Sequence, residues 1–195
     1  MQTVNFIHME DGTREEYEFL DTLEQRYTAE LPQRIIEALA KLEHGLSGYR
    51  INRLEHSLQG ATRAQRAGES DEMIVAILLH DIGDELAPYS HSEMAAAILR
   101  PFVSEKIYWI VRHHGVFQMY YYAHHCGGDR NTREMFSDSP WYQDAIDFCH
   151  NYDQNCFDPD YHSEPLAFFE PVLRRVLAGP GANDPEQLAR YGSGE

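Results

Sequence analysis

The chain has 195 residues, with 16 basic and 32 acidic side chains and a formal net charge of −16. A field of that sign repels nucleic acid and anionic membrane surfaces, so an anionic ligand has to be gathered locally, by a metal or a few basic groups. The length suits one domain with a sizeable core, and the three cysteines, Cys126, Cys149 and Cys156, form no CxxC pair, which fits free thiols in a reducing compartment. Residues 1–18 carry acids where a signal peptide carries bases, and no apolar run is long enough to span a bilayer. The expectation is a cytoplasmic protein with neither nucleic acid nor membrane as a partner; the sequence leaves its oligomeric state open.

No stretch shows sustained period-two alternation with β-branched residues, whereas helix signals dominate, so the predicted fold is all-α. A first helical region covers about 13–43, is interrupted near Pro32, and ends at the loop holding Gly45 and Gly48. A second, about 52–67, carries His56 near its start and stops at Gly68. Ser70 with Asp71 and Glu72 is a good N-terminal cap for the apolar helix that ends at His80-Asp81-Ile-Gly. Ser90-His-Ser-Glu93 reads as a capping box that places His91 in the first turn of another helix, and Ser104 caps one at 105–114. Ser139-Pro140 has the order of a helix start, and that helix carries Asp147, His150 and Asp153 at three-residue spacing, along one face. Pro159, the Gly179-Pro180-Gly181 break and the Gly-rich last residues mark the end of the functional core. The resulting plan is one domain over 1–195: an N-terminal helical region at 1–44, a core at 45–160, and C-terminal helices and tail at 161–195.

The chemistry concentrates on His80 and Asp81, which close the apolar run beginning at Met73. An imidazole and a carboxylate at the end of such a helix cannot both be left unpaired, because burying them unsatisfied costs several kcal/mol. A bound cation satisfies both. His56 precedes the pair by 24 residues, and His91, His113, His114 and Asp153 follow it. Nitrogen and oxygen ligands without cysteine suit iron, manganese or zinc. Asp81 has two carboxylate oxygens and can bridge two cations, with His91 and His114 supplying the second. Adjacent helix positions point about 100° apart, so of His113 and His114 one faces the metals and the other a pocket wall or solvent, with His114 preferred. His124 and His125, near the Gly127-Gly128 turn, read as loop histidines. Tyr49, Phe117, Tyr120, Tyr121, Tyr122, Trp141, Tyr152 and Tyr161 are either core packing or an aromatic box for a quaternary ammonium. Glu16, Glu18 and Glu24 read as a solvated helix face.

The order of His56, His80-Asp81 and Asp153 resembles the HD-domain superfamily, and the extra His91 and His114 are similar to its subgroup of mixed-valent di-iron oxygenases, some of which cleave 1-hydroxyphosphonates. The stretch from Gly48 to Gln59 and the stretch from Tyr142 to Asp153 look like those oxygenases. The resemblance covers roughly 45–160. It implies a helical bundle with a dinuclear site in its core and two iron ions, Fe(II)/Fe(III) in the reactive state. One would be held by His56, His80, Asp81 and Asp153, and the other by Asp81, His91 and His114. A tyrosine that can gate the iron, and a glutamate that receives a substrate ammonium, correspond here to Leu46 and Tyr49. A phosphonate-contacting lysine corresponds to Gln118.

A phenol ring in place of that carboxylate suits a trimethylammonium, which has no N–H to donate. The implied activity is therefore dioxygen-dependent cleavage of the C–P bond of a small-molecule phosphonate, (R)-1-hydroxy-2-(trimethylammonio)ethylphosphonate, to glycine betaine and phosphate. Tyr49, Gln118, His150 and Asp84 are the candidate substrate-binding residues, with Arg130, Arg133 and His125 as further candidates for the phosphonate. The alternative is an HD-type phosphohydrolase acting on a nucleotide or another phosphate ester, with the same ligands activating water. The scarcity of Lys and Arg near the ligands argues against it. A non-catalytic module for choline-like ligands would leave the ligand set unexplained.

Overall fold

The computed structural model describes residues 3–178; the Gly179-Pro180-Gly181 break and the last residues lie outside them. Eight α-helices follow one another: α1 (Arg14–Ala29), α2 (Leu31–Lys41), α3 (Arg53–Ala67), α4 (Asp71–Leu79), α5 (His91–Leu99), α6 (Glu105–Tyr122), α7 (Tyr142–Tyr152) and α8 (Leu166–Val176). The described residues contain no strand, so the all-α expectation holds. No helix among them is long and apolar enough to cross a membrane.

Local chemistry places most of the boundaries. Thr13 and Glu16 close a reciprocal capping box at the start of α1, so Glu16 is a structural residue and not merely part of a solvated face. Pro32 sits in the first turn of α2, where its missing N–H costs nothing, which is why the first helical region divides there. Asn52 and Glu55 form a second capping box, which fixes the start of α3 one turn before His56. Gly68 ends α3 in the left-handed conformation, at φ 77°.

α4 is the axis of the molecule. From Ile74 to Leu79 all six of its residues are buried, against α3, α6 and α8. Ala76 apart, each such aliphatic side chain contributes roughly 1.5–3 kcal/mol of burial free energy, so this nine-residue helix is held by its neighbours and not by its own propensity. The segment after α7 is strapped along α3. Gln59 Nε2 donates to the Asp158 carbonyl at 2.6 Å, Arg66 to the His162 carbonyl at 3.0 Å, and the Glu164 N–H donates to Thr62 Oγ1 at 3.0 Å.

Three local expectations need correction. α5 begins after Ser90, but Ser90 has φ −148° and ψ 33° and its hydroxyl caps nothing, while Glu93 turns toward Arg112 at 3.7 Å. Ser104 likewise makes no side-chain cap; its backbone N–H donates to Glu72 Oε2 at 2.9 Å, and α6 runs on to Tyr122, eight residues past the predicted end. Finally, Asp147, His150 and Asp153 do not share a face. Asp153 lies just beyond α7 with φ −125°, and this break in the helical path turns its carboxylate into the core. Asp147 accepts from Gln143 within α7, and His150 is exposed.

Candidate metal centre

The capped start of α3, the end of α4, the first turn of α5, the middle of α6 and the residue after α7 converge on one buried cluster. His56, His80, Asp81, His114 and Asp153 are buried and His91 is half-buried. Ligand atoms fall into overlapping groups within 4.8 Å of one another: His56, His80 and Asp81; His80, His114 and Asp153; Asp81, His91 and His114. Asp81 stands at the centre. Its Oδ2 faces His56 Nε2 at 3.5 Å and His80 Nε2 at 3.4 Å, while its Oδ1 faces His91 Nε2 and His114 Nε2, each at 3.5 Å. Asp153 Oδ1 lies 3.3 Å from His56 Nε2 and 3.8 Å from His80 Nε2.

The ring orientations are set from behind. His56 Nδ1 donates to the Cys156 carbonyl at 3.0 Å, His80 Nδ1 to Ile77 at 2.7 Å and His114 Nδ1 to Val111 at 2.7 Å. Each bond commits Nδ1 as the donor and leaves the Nε2 lone pair aimed inward, the arrangement of metal-ligating histidines. His56 Nε2 and His80 Nε2 then stand 3.1 Å apart, a contact that requires a proton or a cation between two lone pairs. The second carboxylate oxygen of Asp153 is buried with no hydrogen-bond partner. These observations fit a cation-binding cluster.

Without a cation, protons take up the charge. Burial opposes the His80 imidazolium, but the carboxylates of Asp81 and Asp153 outweigh it and hold its pKa up to about 9. Burial likewise opposes the Asp81 and Asp153 carboxylates. His80, His114 and His56 nevertheless pull Asp81 well below the usual range, and bonds from His56 and His80 lower Asp153. Burial lowers His91 despite Asp81 nearby.

A close backbone approach delivers His91: a Cβ on Gly83 would stand 2.8 Å from the His91 carbonyl oxygen and 2.9 Å from its Cα. Of the neighbouring pair on α6, His114 joins the cluster. His113 bonds the Trp109 carbonyl at 2.8 Å and packs on the Trp109 and Phe136 rings, away from the cluster.

The cluster opens into a cavity of about 290 Å³, lined by Asp81, His91, His114, Asp153 and Gln118 together with Tyr49, Tyr121, Tyr122 and Phe157. Tyr49 is 53% exposed and stacks on Phe157 at 4.9 Å, and Phe157 stacks on His56 at 4.4 Å. Gln118 Nε2 donates to Asp153 Oδ1 at 2.9 Å, and its buried Oε1 has no partner. The other predicted aromatics are elsewhere. Phe117 is core, and Trp141 packs on Trp109. Tyr120 lies under Arg130 and Arg133, Tyr152 bonds Glu69, and Tyr161 lies under Arg63.

Two predicted substrate contacts are not in this lining. His150 reaches it only through Tyr121, whose hydroxyl is 3.3 Å from its Nδ1. Asp84 lies 2.9 Å from Arg53 Nε and 3.7 Å from His91 Nδ1, and lines a second cavity of about 260 Å³ together with Leu46. His124 and His125 pack against each other with tilted rings in an exposed turn. Sequence reasoning missed Arg53 and Phe157. Arg53 could have been found from its position three residues before His56, one helical turn away on the same face. Phe157 had no local signal, because only the strap along α3 brings it to the site.

The HD domain family profile matches residues 53–151, and the chain belongs to that family. The matched span contains five of the six cluster residues and ends just before Asp153. The chain is also similar to the [1-hydroxy-2-(trimethylamino)ethyl]phosphonate dioxygenase (glycine-betaine-forming) of Leisingera caerulea, at 36% identity over 84 residues, covering 37% of this chain and 43% of that protein. The match thus spans less than half of the relative's length.

Proposed function

We propose that this protein is a dinuclear oxygenase that cleaves the C–P bond of a small 1-hydroxyphosphonate, (R)-1-hydroxy-2-(trimethylammonio)ethylphosphonate, to glycine betaine and phosphate. The observation that carries the reading is a carboxylate, Asp81, that presents one oxygen to His56 and His80 and the other to His91 and His114, at the floor of a cavity with aromatic walls. The name of the Leisingera caerulea relative supports the substrate class.

In this reading His56, His80, Asp81 and Asp153 hold one iron and Asp81, His91 and His114 the other. The pair, Fe(II)/Fe(III), would supply the Lewis-acid and redox chemistry that couples dioxygen to bond cleavage. The protein's own part is orientation. Backbone carbonyls fix three imidazoles, and Gln118 fixes Asp153. The rings of Tyr49, Tyr121 and Tyr122, with Phe157 stacked behind Tyr49, accept a methylated ammonium, which ring quadrupoles attract without hydrogen bonds. The atoms balance with one dioxygen per substrate: C1 keeps its hydroxyl oxygen and gains a second to become a carboxylate, and phosphorus gains a fourth oxygen to become phosphate. At about 290 Å³ the cavity lies at the small end of ligand sites, which suits this substrate better than a nucleotide.

The test is anaerobic purification with iron analysis, followed by phosphate release from a panel of small hydroxyphosphonates with and without dioxygen. The expected result is two irons per chain, and phosphate and glycine betaine formed only with dioxygen. Equal release under strict anaerobiosis, or efficient turnover of nucleotides, would replace this reading with a phosphohydrolase.

A further inference from the structure

The charge balance of the site singles out Arg53. It is the only Lys or Arg among the residues lining the metal-site cavity, and its side chain is 16% exposed. Asp84 Oδ2 lies 2.9 Å from Nε, yet out of alignment, so that buried Nε has no hydrogen-bond partner. On the other edge of the fork, one terminal nitrogen lies 3.3 Å from Asp81 Oδ2, the same oxygen that faces His56 and His80. The Tyr49 ring stands 5.2 Å from the guanidinium carbon.

These contacts cannot all persist when the cluster is loaded. A cation held by His56 and His80 takes up Asp81 Oδ2 and leaves the neighbouring guanidinium beside like charge. The two cations of the proposed pair also exceed the charge of Asp81 and Asp153 together, while Asp84 is already matched to Arg53. With Asp84 still beside Nε, the edge that faced Asp81 is the part of the guanidinium left without an acceptor, and a buried donor without an acceptor favours an anion that reaches it. The planar fork of Arg is matched to the oxygens of a phosphonate or phosphate.

We propose that Arg53 is the anion receptor of this cavity, pairing with Asp81 in the ligand-free protein and turning that edge to the phosphonate oxygens of the substrate while Asp84 holds the other edge. The assignment rests on the proposed reaction for the identity of the substrate, but not for the presence of an anion.

The test uses the full-length, metal-loaded protein and methylphosphonate, which has no C1 hydroxyl and no ammonium, titrated by calorimetry. Replacing both members of the pair, Arg53→Gln with Asp84→Asn, avoids stranding a buried carboxylate. It should weaken methylphosphonate binding by about ten- to hundredfold, the range for losing charged hydrogen bonds. Arg53→Lys, which keeps the charge but not the fork, should fall between that variant and wild type. Metal content should be unchanged, and KM for the hydroxyphosphonate should rise by a similar factor with kcat little altered. Unchanged methylphosphonate affinity overturns the proposal, as does metal lost in parallel from both the double variant and Arg53→Lys, which would make Arg53 a positioning residue for the cluster. If anion binding falls as expected but no hydroxyphosphonate is cleaved with dioxygen, the receptor stands and the proposed reaction fails.

Discussion

Gly60 lies on α3 one turn after His56, where α3 passes closest to the end of α7. A Cβ there would land against the Tyr152 carbonyl oxygen, well inside contact, and 2.7 Å from Ile77 Cγ2. Alanine is the better helix former by about 0.8–1 kcal/mol, which favours Gly60→Ala. The obstruction is a backbone carbonyl, which no rotamer change relieves, so α3 and α7 must separate, and overpacking of this kind costs about 1–3 kcal/mol. The net expectation is a loss of about 0–2 kcal/mol, or up to roughly 8 °C in melting temperature for a chain of this size. Because the displaced carbonyl belongs to the residue before Asp153, the backbone that positions this proposed ligand shifts, and the variant should also lower metal affinity, by about ten- to hundredfold, as loss of a ligand's support does in other metal sites. Gly68→Ala is the control. Gly68 has φ +77° and nothing within 4 Å, so it should lose about 1–2 kcal/mol through backbone strain while keeping full metal content. Urea and thermal unfolding of the loaded proteins, with metal analysis of each, decide the matter. A Gly60→Ala protein with wild-type stability and wild-type metal content would refute the reasoning.

Three further outcomes follow from the site. His91→Ala should fold and keep the metal at His56, His80 and Asp153 while losing the second, halving the metal per chain, whereas His113→Ala should keep both; a single metal in the wild type would sink the dinuclear assignment. In chelated protein, His80, raised from 6.5 to about 9, adds stability that is fully present below about pH 6.5 and lost as pH rises through about 9. Asp81 and Asp153, lowered from 3.8, add stability present above that value and lost at more acid pH, so the urea midpoint should peak between about pH 4 and 6.5; a midpoint that does not fall between pH 6.5 and 9 would contradict this. Tyr49→Glu should shift kcat/KM from the trimethylammonium substrate toward the primary-amine analogue by roughly two- to fivefold, the worth of one half-exposed ring at about 0.5–1 kcal/mol, and an unchanged ratio would reduce Tyr49 to a packing residue.

The local sequence determined a good deal of this protein. Ser70 marked the start of α4 and Pro32 the break in the first helical region, and the apolar run from Met73 ending in His80-Asp81 announced a buried polar pair that needs a partner. Those are statements about neighbours within a turn or two, where side chains act directly on the backbone. Only the tertiary structure decided the rest. Asp153 turns inward because the chain leaves helical geometry just after Tyr152, which three-residue spacing cannot register. His114 and not His113 reaches Asp81 because α6 presents that face to α5, and His150 and Asp84 fall outside the cavity lining for the same kind of reason. Arg53 gains its meaning from Asp81 and Asp84, and Phe157 from the strap over α3. Such contacts join residues 24 to 100 positions apart, as His56 joins His80 and Cys156, and the order of a chain does not encode which of its faces will meet until the core between them is packed.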